Sequence, residues 1–202
     1  MFTYPSRFTP FNSIYIKLCN SLDTFFNTLK VFHFRMKGIK IGKNCRIYQG
    51  VRLSGNIEIG DDVRIGSYSY ISTYSDGQVI IKNDVLIGSC SYIGSGHASV
   101  SIGNHCIFAA GVFISDSTHD ISDVNVLTKH APVISKPTEI QDNVWLGFEA
   151  QVLAGVTVGQ GSVIGAKSLV TKNIHPFSVA VGIPARFVRD RLAQPLAGEV
   201  VG

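Results

Sequence analysis

The sequence predicts an all-β protein built as a three-sided parallel β-helix, and two periodic features support this. Aliphatic residues recur every six positions in two series, from Ile41 to Ile71 and from Ile140 to Val170. The next residue is repeatedly glycine, as in Ile59-Gly60 and Leu146-Gly147. A helix brings side chains together every three or four residues and a strand every two, so neither period fits. Six residues per flat face give about 18 per turn, which stacks the aliphatic residues into inward-facing ladders.

The fifth place of each repeat holds a small or aliphatic residue, which we also expect to point inward. These residues are Cys45, Val51, Val63, Ser69, Val85, Ser91, Cys106, Val112, Ala150, Val156, Ser162 and Ser168. The glycines are expected at the corners between faces, because a missing Cβ permits dihedral angles that strain other residues.

Length and composition predict one elongated domain. The chain has 202 residues, 45% of them hydrophobic, and a net charge of +4 with much of the basic excess at its two ends. That balance favours an anionic cofactor or a membrane surface as partner. Nucleic acid is not expected, because no basic run has interleaved aromatic residues. The four cysteines form no CxxC pair and indicate reduced thiols in a cytoplasmic protein.

The chain divides into three predicted segments: 1–38, 39–183 and 184–202. The first is an amphipathic helix, because apolar residues recur at helical spacing from Phe11 to Met36 while polar residues interrupt any membrane-spanning run. It either caps the open first coil or contacts a membrane surface, and both remain open. The second segment is the β-helix. The third is a short helix near Ala185 to Leu192, opened by Pro184, and a tail.

The repeat is interrupted in three places. Residues bulge out near Thr73 to Gln78, a short loop containing His97 runs from Ser95 to Ser99, and a projecting loop spans 116–139. Loops that leave a rigid scaffold commonly carry binding and catalytic residues. The longest loop, which contains His119 and Asp120, is therefore where we expect chemistry.

Taken together, these features resemble the hexapeptide acyltransferases, in the branch of maltose, galactoside and surface-polysaccharide O-acetyltransferases. The resemblance covers about residues 39–190. It is carried by Ile102-Gly103-Asn104 through Ser115, Ser117-Thr118-His119-Asp120, Asn143-Val144-Trp145-Leu146-Gly147, Gly155-Val156-Thr157-Val158-Gly159, Gly165-Ala166-Lys167-Ser168-Leu169-Val170-Thr171-Lys172 and Gly182-Ile183-Pro184-Ala185-Arg186.

The resemblance implies a left-handed β-helix and a homotrimer with active sites between neighbouring prisms. It also implies acetyl-CoA as co-substrate, no metal, and transfer of an acetyl group to a sugar hydroxyl in surface-polysaccharide or lipopolysaccharide biosynthesis. The helical, aromatic-rich start is similar to polysaccharide-modifying members, which places the reaction in the cytoplasm, at the inner face of the membrane if the acceptor is bound there.

The resemblance also assigns candidate site residues. His119 matches the catalytic histidine, and an imidazole that titrates near neutrality can take the proton of a sugar hydroxyl as it attacks a thioester. Trp145 matches a residue that lies along the pantetheine arm, and Ala166 matches one whose backbone meets a cofactor amide. The positions near the nucleotide phosphates are Lys172, Arg186 and Arg189. Candidate acceptor contacts are His97, Asp120 and Glu149, and Glu149 is also a candidate to orient His119. Some relatives use an acidic residue near the position of His97, so the acceptor itself stays open.

Three alternatives remain. N-acetylation of an amino-sugar nucleotide uses the same fold. A γ-class carbonic anhydrase would hold zinc with histidines, of which His97, His105, His119 and His130 are available, but no two histidines have the five-residue spacing of that family. A non-catalytic scaffold is the third alternative.

Overall fold

The computed structural model describes residues 10–192, with side chains from residue 22 to residue 192. A long helix, α1, spans Pro10–Met36 and precedes a parallel β-helix of about six turns. The parallel β-helix predicted from the six-residue period is therefore confirmed.

Three sheets form the faces of the prism, with strands numbered in chain order. Face A contains β1 (Lys40–Ile41), β4 (Ile57–Ile59), β7 (Gln78–Ile81), β10 (Ser99–Ile102), β15 (Thr138–Ile140) and β18 (Thr157–Val158). Face B contains β2 (Arg46–Ile47), β5 (Arg64–Ile65), β8 (Leu86–Ile87), β11 (Ile107–Phe108), β16 (Trp145–Leu146), β19 (Val163–Ile164), β21 (Ser178–Val181) and β22 (Arg186–Asp190). Face C contains β3 (Arg52–Ser54), β6 (Tyr70–Thr73), β9 (Tyr92–Ser95), β12 (Phe113–Ser115), β17 (Gln151–Val152) and β20 (Leu169–Val170).

The core consists of aliphatic residues stacked from coil to coil. Ile41 lies in register with Ile59, and Ile140 with Val158, as the six-residue period predicts. The predicted fifth-place residues are buried as well, except Val51, which is partly buried. Cys45 and Cys106 belong to this core, Cys90 is exposed, and the side chain of Cys19 lies outside the described residues. Burial raises the pKa of the Cys106 thiol to about 11, so this thiol stays protonated at neutral pH.

The reason for the repeated glycines differs from the predicted one. Gly66 and Gly147 do not have positive φ angles; the left-handed residues of their turns are Tyr68 and Glu149, two positions later. Instead, a Cβ on Gly66 would lie 2.4 Å from the backbone nitrogen of Ser89 in the next coil. These glycines are therefore required by the close approach of successive coils at the corners.

The faces meet at three corners, named AB, BC and CA after the faces they join. Corner AB repeats the same turn in each coil: Asp61, Asn83, Asn104 and Asp142 each accept a hydrogen bond from a backbone N–H in the preceding coil. Corner CA is irregular. Between β12 and β15 it holds an antiparallel hairpin of β13 (Ser117–His119) and β14 (Val133–Ser135), with a 3-10 helix at Thr128–His130.

The predicted C-terminal helix near Ala185 to Leu192 is wrong. Residues Arg186–Asp190 form β22, which pairs antiparallel with β21 at the edge of face B. An edge strand presents unpaired N–H and C=O groups, and the following segment supplies their partners. Phe187 and Val188 favour extended backbone, so pairing prevails over a helix start at Pro184. The tail of residues 193–202 lies outside the described residues.

The N-terminal helix covers the first coil with a face other than its apolar one. Phe34 is buried against the prism, and Asn27 bonds both the carbonyl of Cys45 and the N–H of Ile47. In the apolar stripe that ends at Met36, the members whose side chains are described are exposed, although Leu29 also lines a groove with Tyr48 and Val51 of the first coil. Of the helices in the described part of the chain, none is long and apolar enough to cross a membrane.

Candidate active site

His119 lies at the end of β13 in the hairpin that leaves corner CA. Its backbone pairs with Val133, and its Nδ1 is 3.2 Å from the carbonyl oxygen of Ala131. A carbonyl oxygen only accepts hydrogen bonds, so this contact assigns the proton to Nδ1. His119 is exposed, and in its neutral form Nε2 then has the lone pair that can accept a proton.

Asp116 is a fully buried carboxylate at the base of the hairpin. Its Oδ1 accepts a hydrogen bond from the N–H of Gly96 at 2.7 Å, and its Oδ2 accepts from the Ser95 hydroxyl at 2.7 Å and the Ala98 N–H at 3.1 Å. The Ser117 hydroxyl donates to it too. A buried charge persists only when it is hydrogen-bonded in this way. Asp116 therefore fixes the loop that carries His97 against the strand that carries His119.

Asp116 is a functional residue that no sequence motif points to. Its signal is an acidic residue two positions after the inward-facing Ile114, where the regular turn should begin. Such a residue at the start of a break is a candidate anchor for the loops on either side.

The candidate acceptor residues His97 and Asp120 lie on this side of the prism. The His97 N–H donates to the Ser135 hydroxyl of the hairpin at 3.1 Å, and its Nδ1 lies 3.0 Å from Asp76 Oδ1. Hydrogen bonds from its own backbone N–H and from His97 lower the pKa of Asp76. The side-chain and backbone groups of Ser122 likewise lower the pKa of Asp120, whose own N–H donates to the Pro132 carbonyl.

Trp145 projects from face B and is 41% exposed. Its neighbours on adjacent strands are Ile107 and Val163, and Ile107 in turn lies beside the exposed Leu86. The outward side of face B thus carries an apolar row that ends at the indole. Apolar and aromatic residues of this kind contact an aliphatic ligand arm or another protein surface.

Ala166 and Glu149 lie at corner BC. Ala166 is exposed, next to Lys167, whose Nζ is 3.8 Å from Glu149 Oε2. Glu149 therefore has Lys167 as its charged neighbour and, within one chain, lies at a different corner from His119.

Lys172 and Arg186 line a common cleft at the C-terminal end of the prism. The cleft has a volume of about 450 Å³, and His175, Phe187 and Asp190 also line it. Arg189 is outside the cleft lining, and its Nη1 donates to the carbonyl of Asp190 at 3.4 Å. The cleft thus combines two cations with an aromatic ring, groups suited to phosphates and a flat base.

One chain does not bring all the predicted site residues together. Corner CA, with His119, lies opposite face B, with Trp145 and Arg186, and the core of the prism stands between them. Within the described part of the chain, no three His, Cys, Asp or Glu side chains are grouped to hold a metal ion.

Comparison with protein families identifies the class. A family model described as bacterial transferase hexapeptide (six repeats) matches residues 38–73 and 137–172. A model described as the hexapeptide repeat of succinyl-transferase matches residues 78–116. These segments are the coils of the prism on both sides of the hairpin. The chain belongs to the hexapeptide-repeat acyltransferase family.

Individual relatives include O-acetyltransferases, and solved structures with the same fold include an N-acyltransferase. WbbJ of Escherichia coli, named for lipopolysaccharide biosynthesis as an O-acetyl transferase, is 29% identical over 73% of this chain and 80% of its own length. The polysialic acid O-acetyltransferase OatWY is 26% identical with a TM-score of 0.62, covering 81% of this chain and 80% of its own. AntD, an N-acyltransferase from Bacillus cereus crystallised with 3-hydroxybutyryl-CoA, shares the fold with a TM-score of 0.70 at 20% identity, over 79% of this chain and 87% of its own. The chain spans less than half the length of other curated relatives that it matches, among them galactoside O-acetyltransferases.

Proposed function

We propose that this chain is an acetyl-CoA-dependent O-acetyltransferase that modifies a sugar hydroxyl during biosynthesis of a surface polysaccharide or lipopolysaccharide. The names of WbbJ and OatWY support this class of acceptor. The reaction takes place in the cytoplasm, at the inner face of the membrane if the acceptor is bound there. The observation that carries the proposal is the orientation of His119, whose Nδ1 is bound by the Ala131 carbonyl.

In the proposed mechanism His119 acts as general base. The sugar oxygen attacks the thioester carbonyl carbon while its proton passes to Nε2 of His119. The tetrahedral intermediate then expels the thiolate of coenzyme A, which receives the proton from the imidazolium. The products are the sugar acetate and free coenzyme A, with no acyl-enzyme. The Ala131 carbonyl keeps the imidazole oriented and stabilises the imidazolium, because it accepts a hydrogen bond in both protonation states.

We propose that the complete site forms between two copies in a homotrimer. His119 and Trp145 lie on opposite sides of one prism, so a second copy must bring its face B to corner CA of the first. The exposed row of Leu86, Ile107 and Trp145 supports such a contact, because exposed apolar rows on a rigid surface are commonly covered in oligomers.

In this arrangement face B and the C-terminal end hold acetyl-CoA. Trp145 lies along the pantetheine arm and the Ala166 backbone meets one of its amides. Lys172 and Arg186 contact the nucleotide phosphates, supported by the cleft that they share. Arg189, outside that lining, is the weaker candidate. His97 and Asp120 contact the acceptor near the hairpin, whereas the pairing of Glu149 with Lys167 favours a role at the corner BC surface.

The test is release of free thiol from acetyl-CoA by purified protein, measured across sugars, nucleotide sugars, amino-sugar nucleotides and oligosaccharides. We expect thiol release only with a hydroxyl acceptor, together with a product of acetyl-ester mass that mild alkali cleaves. An alkali-stable acetamide product would instead establish N-acetylation. Acetyl-CoA that fails to bind in calorimetry would refute the enzyme proposal and favour a scaffold.

A further inference from the structure

The outward face of α1 carries a continuous apolar stripe. Six large side chains have exposed fractions of 48–73%: Leu22, Phe25, Phe26, Leu29, Phe32 and Met36. Their spacing of three, four and seven residues places them on one side of a helix. An exposed, aromatic-rich stripe of this length is unusual for a protein surface and marks a contact site.

The opposite side of α1 is held to the prism by polar contacts. Asn27 bonds the carbonyl of Cys45 and the N–H of Ile47, and Lys30 Nζ reaches the carbonyl of Ile47 at 3.4 Å. Arg35 donates to the carbonyls of Ile41 and Gly42. These contacts hold the helix over the first coil with the stripe outward, so α1 cannot roll to bury its apolar side without breaking them.

The charge of the chain segment that carries the stripe favours a negatively charged partner surface. Between residues 22 and 54 the sequence has seven Lys or Arg residues and a single acidic residue, Asp23, and one of the seven, Lys40, forms an ion pair with Glu58 of the next coil, whereas the net charge of the whole chain is only +4. The basic groups are therefore concentrated at the end of the prism that carries the helix. A second copy on this stripe would bring two such regions together, and like charges oppose that contact. A surface with negative charge and an apolar layer beneath it is complementary to both features.

We propose that α1 is a peripheral membrane anchor whose apolar stripe inserts into the surface of a bilayer rich in anionic lipid. The phenylalanine rings occupy the boundary between headgroups and acyl chains, and the positive charge of the first coils attracts the lipid phosphates. The inference deepens the proposed function, on which it rests for the side of the membrane that the helix meets. In the proposed trimer the three helices lie at one end of the assembly, so they bind one surface together.

The experiment is co-sedimentation of the purified full chain with large vesicles. One set contains phosphatidylcholine alone and the other phosphatidylcholine with phosphatidylglycerol, each at low and high salt. We expect binding to the anionic vesicles that weakens at least severalfold at high salt, because screening reduces the lipid attraction. The double variant Phe25→Ser/Phe32→Ser should bind at least about tenfold less.

The matched control is Ile183→Ser/Leu192→Ser, which removes two apolar side chains, each 74% exposed, from the other end of the prism. It should bind vesicles like the unmodified chain. Circular dichroism and sedimentation velocity on all three proteins check that fold and oligomeric state are kept. Phe25 and Phe32 are exposed, so the double substitution should preserve the fold.

Three results would overturn the inference. The first is that the unmodified chain does not sediment with anionic vesicles. The second is that it sediments equally with both lipid sets, and the third is that the double variant binds as well as the unmodified chain. If the unmodified chain does not bind vesicles and Phe25→Ser/Phe32→Ser changes the oligomeric state, the stripe would be assigned to contacts between copies. Thiol release with a soluble acceptor, measured without vesicles, tests the proposed function separately, so either can fail alone.

Discussion

Corners AB and CA of the prism are made by the same chain in the same coils, yet they differ in regularity. At corner AB each turn repeats, and Asp61, Asn83, Asn104 and Asp142 each accept a backbone N–H from the coil before. At corner CA the turns vary in length, and a hairpin replaces one of them. The difference indicates that corner AB maintains the stack, whereas corner CA is free to carry chemistry.

The two corners also use similar residues differently. His105 at corner AB pairs with Asp84 on the surface, with 2.8 Å between Nδ1 and Oδ2. His119 at corner CA has its Nδ1 on a backbone carbonyl instead. An exposed pair with a carboxylate contributes little to stability. A carbonyl orients the ring and, in the neutral imidazole, leaves Nε2 as the proton acceptor. Replacing each histidine separately therefore tests whether corner CA carries the chemistry and corner AB does not.

The largest expected effect is that of His119→Ala. We expect kcat to fall by about a hundredfold or more, because the hydroxyl loses its general base, while the Kd of acetyl-CoA stays nearly unchanged. His105→Ala, the matched control at corner AB, should leave kcat unaltered. Steady-state kinetics and calorimetry measure both. Unchanged turnover in His119→Ala would remove this residue as the base.

The next effect is that of Asp116→Asn. An amide has only one acceptor oxygen, so its NH₂ group would face a donor that now bonds Oδ1 or Oδ2. We expect the loop and hairpin to shift and kcat to fall by about tenfold, measured well below the melting temperature. Thermal unfolding and binding of acetyl-CoA are measured alongside. A lower melting temperature with unchanged kcat would show that Asp116 stabilises the fold without positioning His119.

An effect of similar size, on binding of the co-substrate rather than on turnover, is expected for Lys172→Ala or Arg186→Ala. Loss of one phosphate contact should weaken binding of acetyl-CoA by about tenfold and leave acetyl-pantetheine, which lacks the nucleotide phosphates, nearly unaffected. Lys43→Ala, an exposed lysine at corner AB, is the control and should change neither affinity. Equal losses for both ligands in the cleft variants would refute the phosphate assignment.

The smallest effect concerns the ladder of corner AB. Asn83→Ala removes the acceptor of the Asp61 N–H, a bond of 2.8 Å, and should lower the free energy of unfolding by about 1 kcal/mol without changing kcat. Denaturant unfolding and the thiol-release assay measure these two quantities. A marked loss of activity with little loss of stability would show that the two corners do not divide their roles in this way.

The fold could be predicted from the sequence because its signal is repeated. The same inward positions recur in every coil. One hexad that deviates, such as that of Val51, which is only partly buried, therefore does not obscure the period. The glycine at position 66 is required because the next coil lies close to it. This depends on the spacing between coils, which no single repeat shows. The C-terminal strand was missed because the partner it pairs with, β21, is a feature of the assembled sheet.

The candidate site could be predicted only in part. His119 and the Lys172 and Arg186 pair stand in motifs of the family, and the structure places that pair in one cleft. The position of Glu149 at another corner depends on how the chain turns, and the anchoring role of Asp116 depends on loops that meet only after folding. The direction of the apolar stripe on α1 was not foreseen, since periodicity shows that a helix has an apolar side but not what that side faces.

The central claim is that the site combines His119 of one copy with face B of another, and subunit mixing tests it most directly. His119→Ala and the double variant Trp145→Ala/Arg186→Ala, each nearly inactive at low acetyl-CoA, are unfolded together and refolded at equal amounts. Random assembly joins an intact His119 to an intact face B in about a quarter of the sites, so the mixture should recover about a quarter of the unmodified activity. A mixture no more active than its two components, despite verified mixed trimers, would contradict a site shared between copies.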